Sequence, residues 1–170
     1  KTKIVNYFRA TIGGIGLTGV ILSVALQLVR VPGPWIETET IPFNNSDEFF
    51  SITDELDKKW SNSVSWIDCT SRAGGKGLLM LGNRVAHQQE SRVKNAINFP
   101  VTPPISLINS VSVKVLNVGY YALHRLMSTS KVVHYEKFFY PLDGINNWNR
   151  AYGPQGFYQY QSVIPEKNAQ

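Results

Sequence analysis

The densest chemistry in the sequence lies between Tyr135 and Tyr160. Nine aromatic rings lie there (Tyr135, Phe138, Phe139, Tyr140, Trp148, Tyr152, Phe157, Tyr158 and Tyr160), and from Phe138 onward they surround a single cation, Arg150. Pro141, Pro154, Gly144, Gly153 and Gly156 break the stretch into loops, whose backbones present side chains at surfaces and clefts. Aromatic walls with a few convergent polar groups are what a small-molecule pocket requires. After Gly156 the residues alternate. That predicts a strand with Phe157, Gln159, Gln161 and Val163 on one face and Tyr158, Tyr160, Ser162 and Ile164 on the other. Gln159 and Gln161 at i and i+2 make an amide pair able to donate to and accept from hydroxyls. An aromatic-rich hairpin inside an ordinary core fits the same spacing.

Other chemistries have less support. His87, His124 and His134 form no i, i+4 pair and have no cysteine at metal-ligand spacing, so no metal site is expected. The lone Cys69 rules out an internal disulfide. The AGGKG run, Ala73–Gly77, lacks the earlier glycine of a phosphate loop, and neither Ser nor Thr follows Lys76. It reads as a turn into a strand at Leu78–Leu81. No side chain stands out as a hydride acceptor or general base, so no catalytic residue is assigned. A net charge of +5 suits a phosphate-bearing ligand, an anionic membrane surface or a plain solvated excess. Nothing resembles a basic, base-stacking nucleic-acid motif. With 43% hydrophobic and 17% charged residues the chain is globular rather than disordered.

The elements that must position the aromatic block follow from periodicity. Lys1–Ala10 leads in, extended or helical. Gly14, Gly16 and Gly19 spell GxGxxG, but Val20, Leu22, Val24, Leu26 and Leu28 alternate with smaller or polar residues, which predicts a strand over Val20–Val29. A dinucleotide motif needs a helix there, so that reading fails. The uncharged run Ile12–Val29 behind Lys1, Lys3 and Arg9 has the outline of a membrane anchor. Four glycines, two hydroxyls and Gln27 dilute it, and a glycine turn feeding a strand fits better. Pro32–Pro34 marks a domain boundary.

Trp35–Thr40 is a short strand. Ser46 is placed to cap a helix opened by Asp47 and Glu48, with Phe49, Ile52, Leu56 and Trp60 along one face and Asp54, Glu55, Asp57, Lys58 and Lys59 solvated on the other. Val64–Cys69 is a strand carrying Trp66 as core residue or pocket wall. Asn83–Pro104 is a long polar loop closing in three prolines. Ile105–Met127 has helical spacing, against which Val111, Val113 and Val115 favour a strand. Val132–Phe138 is a strand entering the aromatic block.

Three blocks in this order carry a resemblance: RATIGGIGLTGVI, then SVSWIDCTSR with GKGLLMLGN, then PLDGINNWNRAYGPQGFYQYQ. Together they resemble the FAD-linked decaprenylphosphoryl-β-D-ribose oxidases, relatives of the vanillyl-alcohol-oxidase flavoproteins. The resemblance implies an α+β fold in which residues 1–33 end an FAD-binding domain with its last strand. Residues 34–170 would form part of a substrate domain, an antiparallel sheet covered by helices. It implies oxidation of the ribose 2-hydroxyl of a polyprenyl-phosphate sugar to a ketone, with hydride passing to FAD. A partner reductase would complete the epimerisation to an arabinose donor for the cell wall, with the protein peripheral to the membrane in the cell envelope. Further domains supplying a flavin pyrophosphate loop, a histidine region, a cysteine and a lysine are expected outside this chain.

By resemblance, Gly19, Val20 and Ile21 contact the cofactor. Trp66, Phe139, Leu142, Trp148, Arg150, Gln159 and Gln161 line the substrate side, Arg150 either meeting the lipid phosphate or holding the loop through carbonyls. The chain departs from the family pattern where Val64 replaces a hydroxyl-bearing residue, Phe139 a tyrosine and Tyr140 a histidine. Two other readings stay open: a sugar- or lipid-phosphate-binding module without flavin, and a membrane-anchored interaction protein.

Overall fold

The computed structural model describes residues 2–56, 58–71, 75–87, 96–127 and 130–165. Ala73 and Gly74 of the Ala73–Gly77 turn, part of the Asn83–Pro104 loop (88–95), Asp57 and the tail from Glu166 lie outside the described residues. The chain divides into two units, 1–30 and 31–170.

The first unit is a helix, α1 (Thr2–Thr11), and a glycine turn. The Tyr7 hydroxyl donates to the Thr18 carbonyl at 2.7 Å and folds the turn back on the helix. Gly13, Gly16 and Gly19 take positive φ, as the resulting reversals require. The expected strand over Val20–Val29 does not form: these residues have no regular secondary structure, and Leu22, Leu26 and Leu28 are exposed. Alternation specifies a face, but a strand exists only when a neighbour accepts its ladder. The final strand expected of an FAD-binding domain is therefore corrected. No described helix is long and apolar enough to cross a membrane.

The second unit is built on a four-stranded antiparallel sheet in the order β2–β3–β1–β5. The strands are β1 (Trp35–Phe43), β2 (Asn62–Ile67), β3 (Gly77–Val85) and β5 (Ser130–His134). Register pairs Phe43 with Gly77 and Ile41 with Leu79, so Phe43, Leu79 and Leu81 share one face. Helix α2 (Ser46–Leu56) lays Phe49, Ile52 and Leu56 on that face, with Trp60 just beyond it. This is the face its 3.6-residue spacing marks. Its cap is Asn45 rather than Ser46. Asn45 Oδ1 accepts from the Glu48 N–H at 2.9 Å, and the Glu48 carboxylate accepts from the Asn44 N–H at 2.7 Å.

The opposite face carries Ile36, Thr38 and Leu78, covered by α3 (Ser110–Leu126) and α4 (Tyr135–Phe139). Helix α3 forms despite its valines because Asn109 closes a capping box. Its side chain accepts from the Val111 and Ser112 N–H groups, and Ser112 Oγ accepts from the Asn109 N–H. The expected strand Val132–Phe138 stops at His134 and continues as α4, which drives Phe138 against Gly82 and Ile36. The fold is α+β, an antiparallel sheet with helices on both faces.

Candidate functional site

Three arrangements hold the residues whose chemistry the sequence singled out. The first is an aromatic group on a stitched pair of loops. A 3-10 turn (Trp148–Tyr152) places Trp148 with its ring centroid 5.2 Å from Phe157, while Tyr152 stacks on Phe157 at 4.3 Å. These loops are fixed by backbone bonds, not by burial. β4 (Ile97–Asn98) runs parallel to β6 (Ile145–Asn146), and the Leu107 N–H donates to the Ala151 carbonyl at 2.9 Å. Arg150 lies on the same turn, its Nη1 donating to the Phe99 and Pro100 carbonyls at 3.0 and 2.9 Å. Of the two roles open to Arg150, the loop-holding one is the contact formed.

Leu142 sits on the preceding 3-10 turn (Pro141–Gly144), half exposed. Phe139 ends α4, and the Arg84 guanidinium lies over its ring at 5.8 Å. Gln159 and Gln161 are exposed in a segment without regular structure. The predicted strand over Phe157–Ile164 is thus a second correction, for the same reason as the first: its alternation meets no neighbouring strand. The two amides are not aligned by a pleat.

The second arrangement surrounds Trp66, on the α3 side of β2. Its ring meets Tyr120 edge-on at 4.9 Å, and Tyr120 meets His124 at 4.2 Å. Burial raises the Tyr120 pKa, so its phenol stays a neutral donor at physiological pH. His124 Nδ1 lies 2.9 Å from the Tyr120 carbonyl. Trp66 and Trp148 therefore belong to separate aromatic groups.

Just past β2, Asp68 is only 3% exposed, and sequence reasoning missed it. Its carboxylate accepts from the Thr70 hydroxyl at 2.6 Å, the Asn117 amide at 2.7 Å and the Thr70 N–H at 3.0 Å. Burial pushes its pKa up. The donors from Thr70 and Asn117, with the charge of Lys76, outweigh that and hold it below the ordinary carboxylate value. The Asp-x-Thr spacing was a legible signal for such a turn. Its tie to α3 through Asn117 was not.

The third arrangement is the glycine turn of the first unit. A side chain at Gly16 or Gly19 would meet nothing within 4 Å, so the backbone there is open to a close-lying planar ligand. Gly19, Val20 and Ile21, the expected cofactor contacts, lie at the end of this turn, where Val20 and Ile21 are exposed. The turn does not fit a pyrophosphate, because it follows the carbonyl end of α1, where the dipole opposes anions.

Comparison with known proteins gives a relative for most of the chain. A decaprenylphosphoryl-β-D-ribose oxidase of Mycolicibacterium smegmatis is 28% identical over 175 aligned residues. The chain resembles that oxidase. The alignment takes in 94% of this chain and 37% of the oxidase's length, so the chain spans little more than a third of its relative. No family model matches the sequence, and no solved structure does. Among the described residues, no cluster of His, Cys, Asp or Glu is placed to hold a metal ion.

Proposed function

We propose that this chain is part of a flavin-dependent oxidoreductase that converts the 2-hydroxyl of a polyprenyl-phosphate ribose to a ketone. The observation that carries this is the similarity to the oxidase across 94% of the chain. An FAD, when bound, supplies the acceptor for the hydride leaving C2 of the ribose, while the hydroxyl proton goes to solvent or a base outside these residues. The chain's own contribution is binding and exclusion of water. In the first unit, the open backbone at Gly19 with Val20 and Ile21 supplies van der Waals contact to the cofactor.

In the second unit, Trp148 presents an aromatic wall to the sugar, backed by Tyr152 and Phe157, and Leu142 and Phe139 extend it. Trp66 is a further aromatic residue of the substrate side. Gln159 and Gln161 donate to and accept from ribose hydroxyls once the segment is ordered by ligand, a strand-like alignment that binding would impose. The protein works in the cell envelope at the membrane surface, where the lipid tail of the substrate is held. A reductase that returns the ketone to the opposite hydroxyl epimer is the required partner.

The chain alone is expected to be inactive, so the test is anaerobic mixing of the whole oxidoreductase of which it is proposed to be part with a polyprenyl-phosphate ribose. Bleaching of the flavin absorbance with loss of two hydrogens from the sugar is the expected result. Purification without flavin, or an unbleached flavin with the sugar demonstrably bound, would sink the proposal.

A further inference from the structure

We propose that Arg150 is a positioning residue: together with Asn98 and Asn147 it clasps two loops that are distant in sequence, and the clasp sets the orientation of Trp148. The inference begins with what the guanidinium does. It has five N–H donors and no acceptor, and one nitrogen is already committed to two carbonyls, those of Phe99 and Pro100. An arginine recognising phosphate offers its planar fork to the anion. Here the donor is turned into the protein's own backbone.

The residues around it act in concert. Asn147 Nδ2 donates to Asn98 Oδ1 at 2.7 Å, and the Phe99 N–H donates to the Asn146 carbonyl at 2.9 Å. Asn147 takes a left-handed conformation (φ 59°), which asparagine tolerates better than most residues and which starts the turn bearing Trp148. At the far end Gly153, with φ 72°, lies so close to Ile105 and Ser106 that a side chain would sit 3.1 Å from their backbone. Trp148 stands between two tied residues, Asn147 and Arg150. Its ring is therefore aimed by the proline-rich segment from Ile97 to Leu107, which carries none of the aromatic wall itself. Sequence separation of about fifty residues hides this connection completely.

The experiment is fluorine NMR on fluorotryptophan-labelled protein, with W148F assigning the resonance, alongside steady-state kinetics on the lipid-linked sugar. Arg150→Lys keeps the charge but loses the reach to both carbonyls. Asn98→Ala removes no charge and touches no ligand position. Both variants are expected to shift or broaden the Trp148 resonance. Arg150→Lys is expected to raise KM about tenfold and Asn98→Ala about threefold, with kcat within about twofold of wild type.

A Trp148 resonance unmoved in both variants overturns the clasp. So does a wild-type resonance that inorganic phosphate moves while Arg150→Lys abolishes the response, which makes Arg150 an anion ligand. Asn98→Ala, at the exposed rim, decides the question if Arg150→Lys does not fold. The kinetic arm rests on the proposed oxidase reading and the spectroscopic arm does not. A protein that oxidises no sugar yet shows coupled Trp148 shifts would sink the former reading alone.

Discussion

The β1–β3 pair and the aromatic segment after Tyr140 are both rich in large apolar side chains, yet they spend them in opposite ways. Ile36, Phe43, Leu78 and Leu79 are completely buried, whereas Tyr158 and Tyr160 are about as exposed as in an open chain. In the sheet, side chains decide the structure: alternation chooses the faces, and packing locks the register. In the aromatic loops, backbone donors and acceptors decide it, through β4–β6, Arg150 and the Leu107–Ala151 bond. The first kind of order resists solvent by burying area. The second leaves ring surface free, and free ring surface is what a ligand needs. The aromatic loops are therefore ordered by the part of the chain that side-chain chemistry does not occupy.

Four substitutions sharpen that contrast. Phe43→Ala removes the largest fully buried side chain and is expected to cost about 4 kcal/mol, read as a lower midpoint in chemical denaturation. Gly82→Ala places a methyl 2.7 Å from Ile36 and 2.9 Å from Phe138, and is expected to cost roughly 2 kcal/mol by overpacking.

Asn117→Ala tests a buried polar tie by its pH dependence. The Asp68 pKa is lowered in the folded state, so the carboxylate stabilises the fold above the ordinary carboxylate pKa and loses that contribution as pH falls through the lowered value. Without the Asn117 amide the folded pKa rises towards the unfolded one. Stability of wild type over variant should then be full at neutral pH and shrink on acidification, as thermal melts at stepped pH would record. A pH-independent gap would assign Asn117 a packing role only. Phe157→Ala is the mildest: it removes a half-exposed ring that stacks on Tyr152, costs about 1 kcal/mol, and should weaken ligand binding more than folding. If Phe157→Ala rivals Phe43→Ala in stability cost, the contrast between the two regions breaks.

The same contrast explains what could be read from the sequence. β1, β3 and the apolar face of α2 were legible because their periodicity and their packing agree: Phe49, Ile52 and Leu56 meet the face that Phe43 and Leu79 present. Val20–Val29 and Phe157–Ile164 carry equally clear alternation and form no strand, since pairing is a property of two segments and only one was in view. His134 ends β5 early because the next residues take up α4, a choice settled by the fit of Phe138 beneath Gly82. At the candidate site the aromatic types were visible. The bonds that aim them, from Asn98 and from the carbonyls of Phe99 and Pro100, have no sequence signature. Asp68 lay between: its turn was readable and its partner on α3 was not.

The outer edge of β2 has a consequence of a different kind. Among the described residues β2 borders only β3, and Asn62–Ile67 carries no lysine, glutamate or proline, the residues with which exposed edges discourage further pairing. Its outward row of N–H and C=O groups is an open template, and Ile67 adds an exposed apolar side chain at its end. Handling of this protein is therefore governed by concentration and time as well as by fold stability: a strand that finds this edge extends the sheet without unfolding anything.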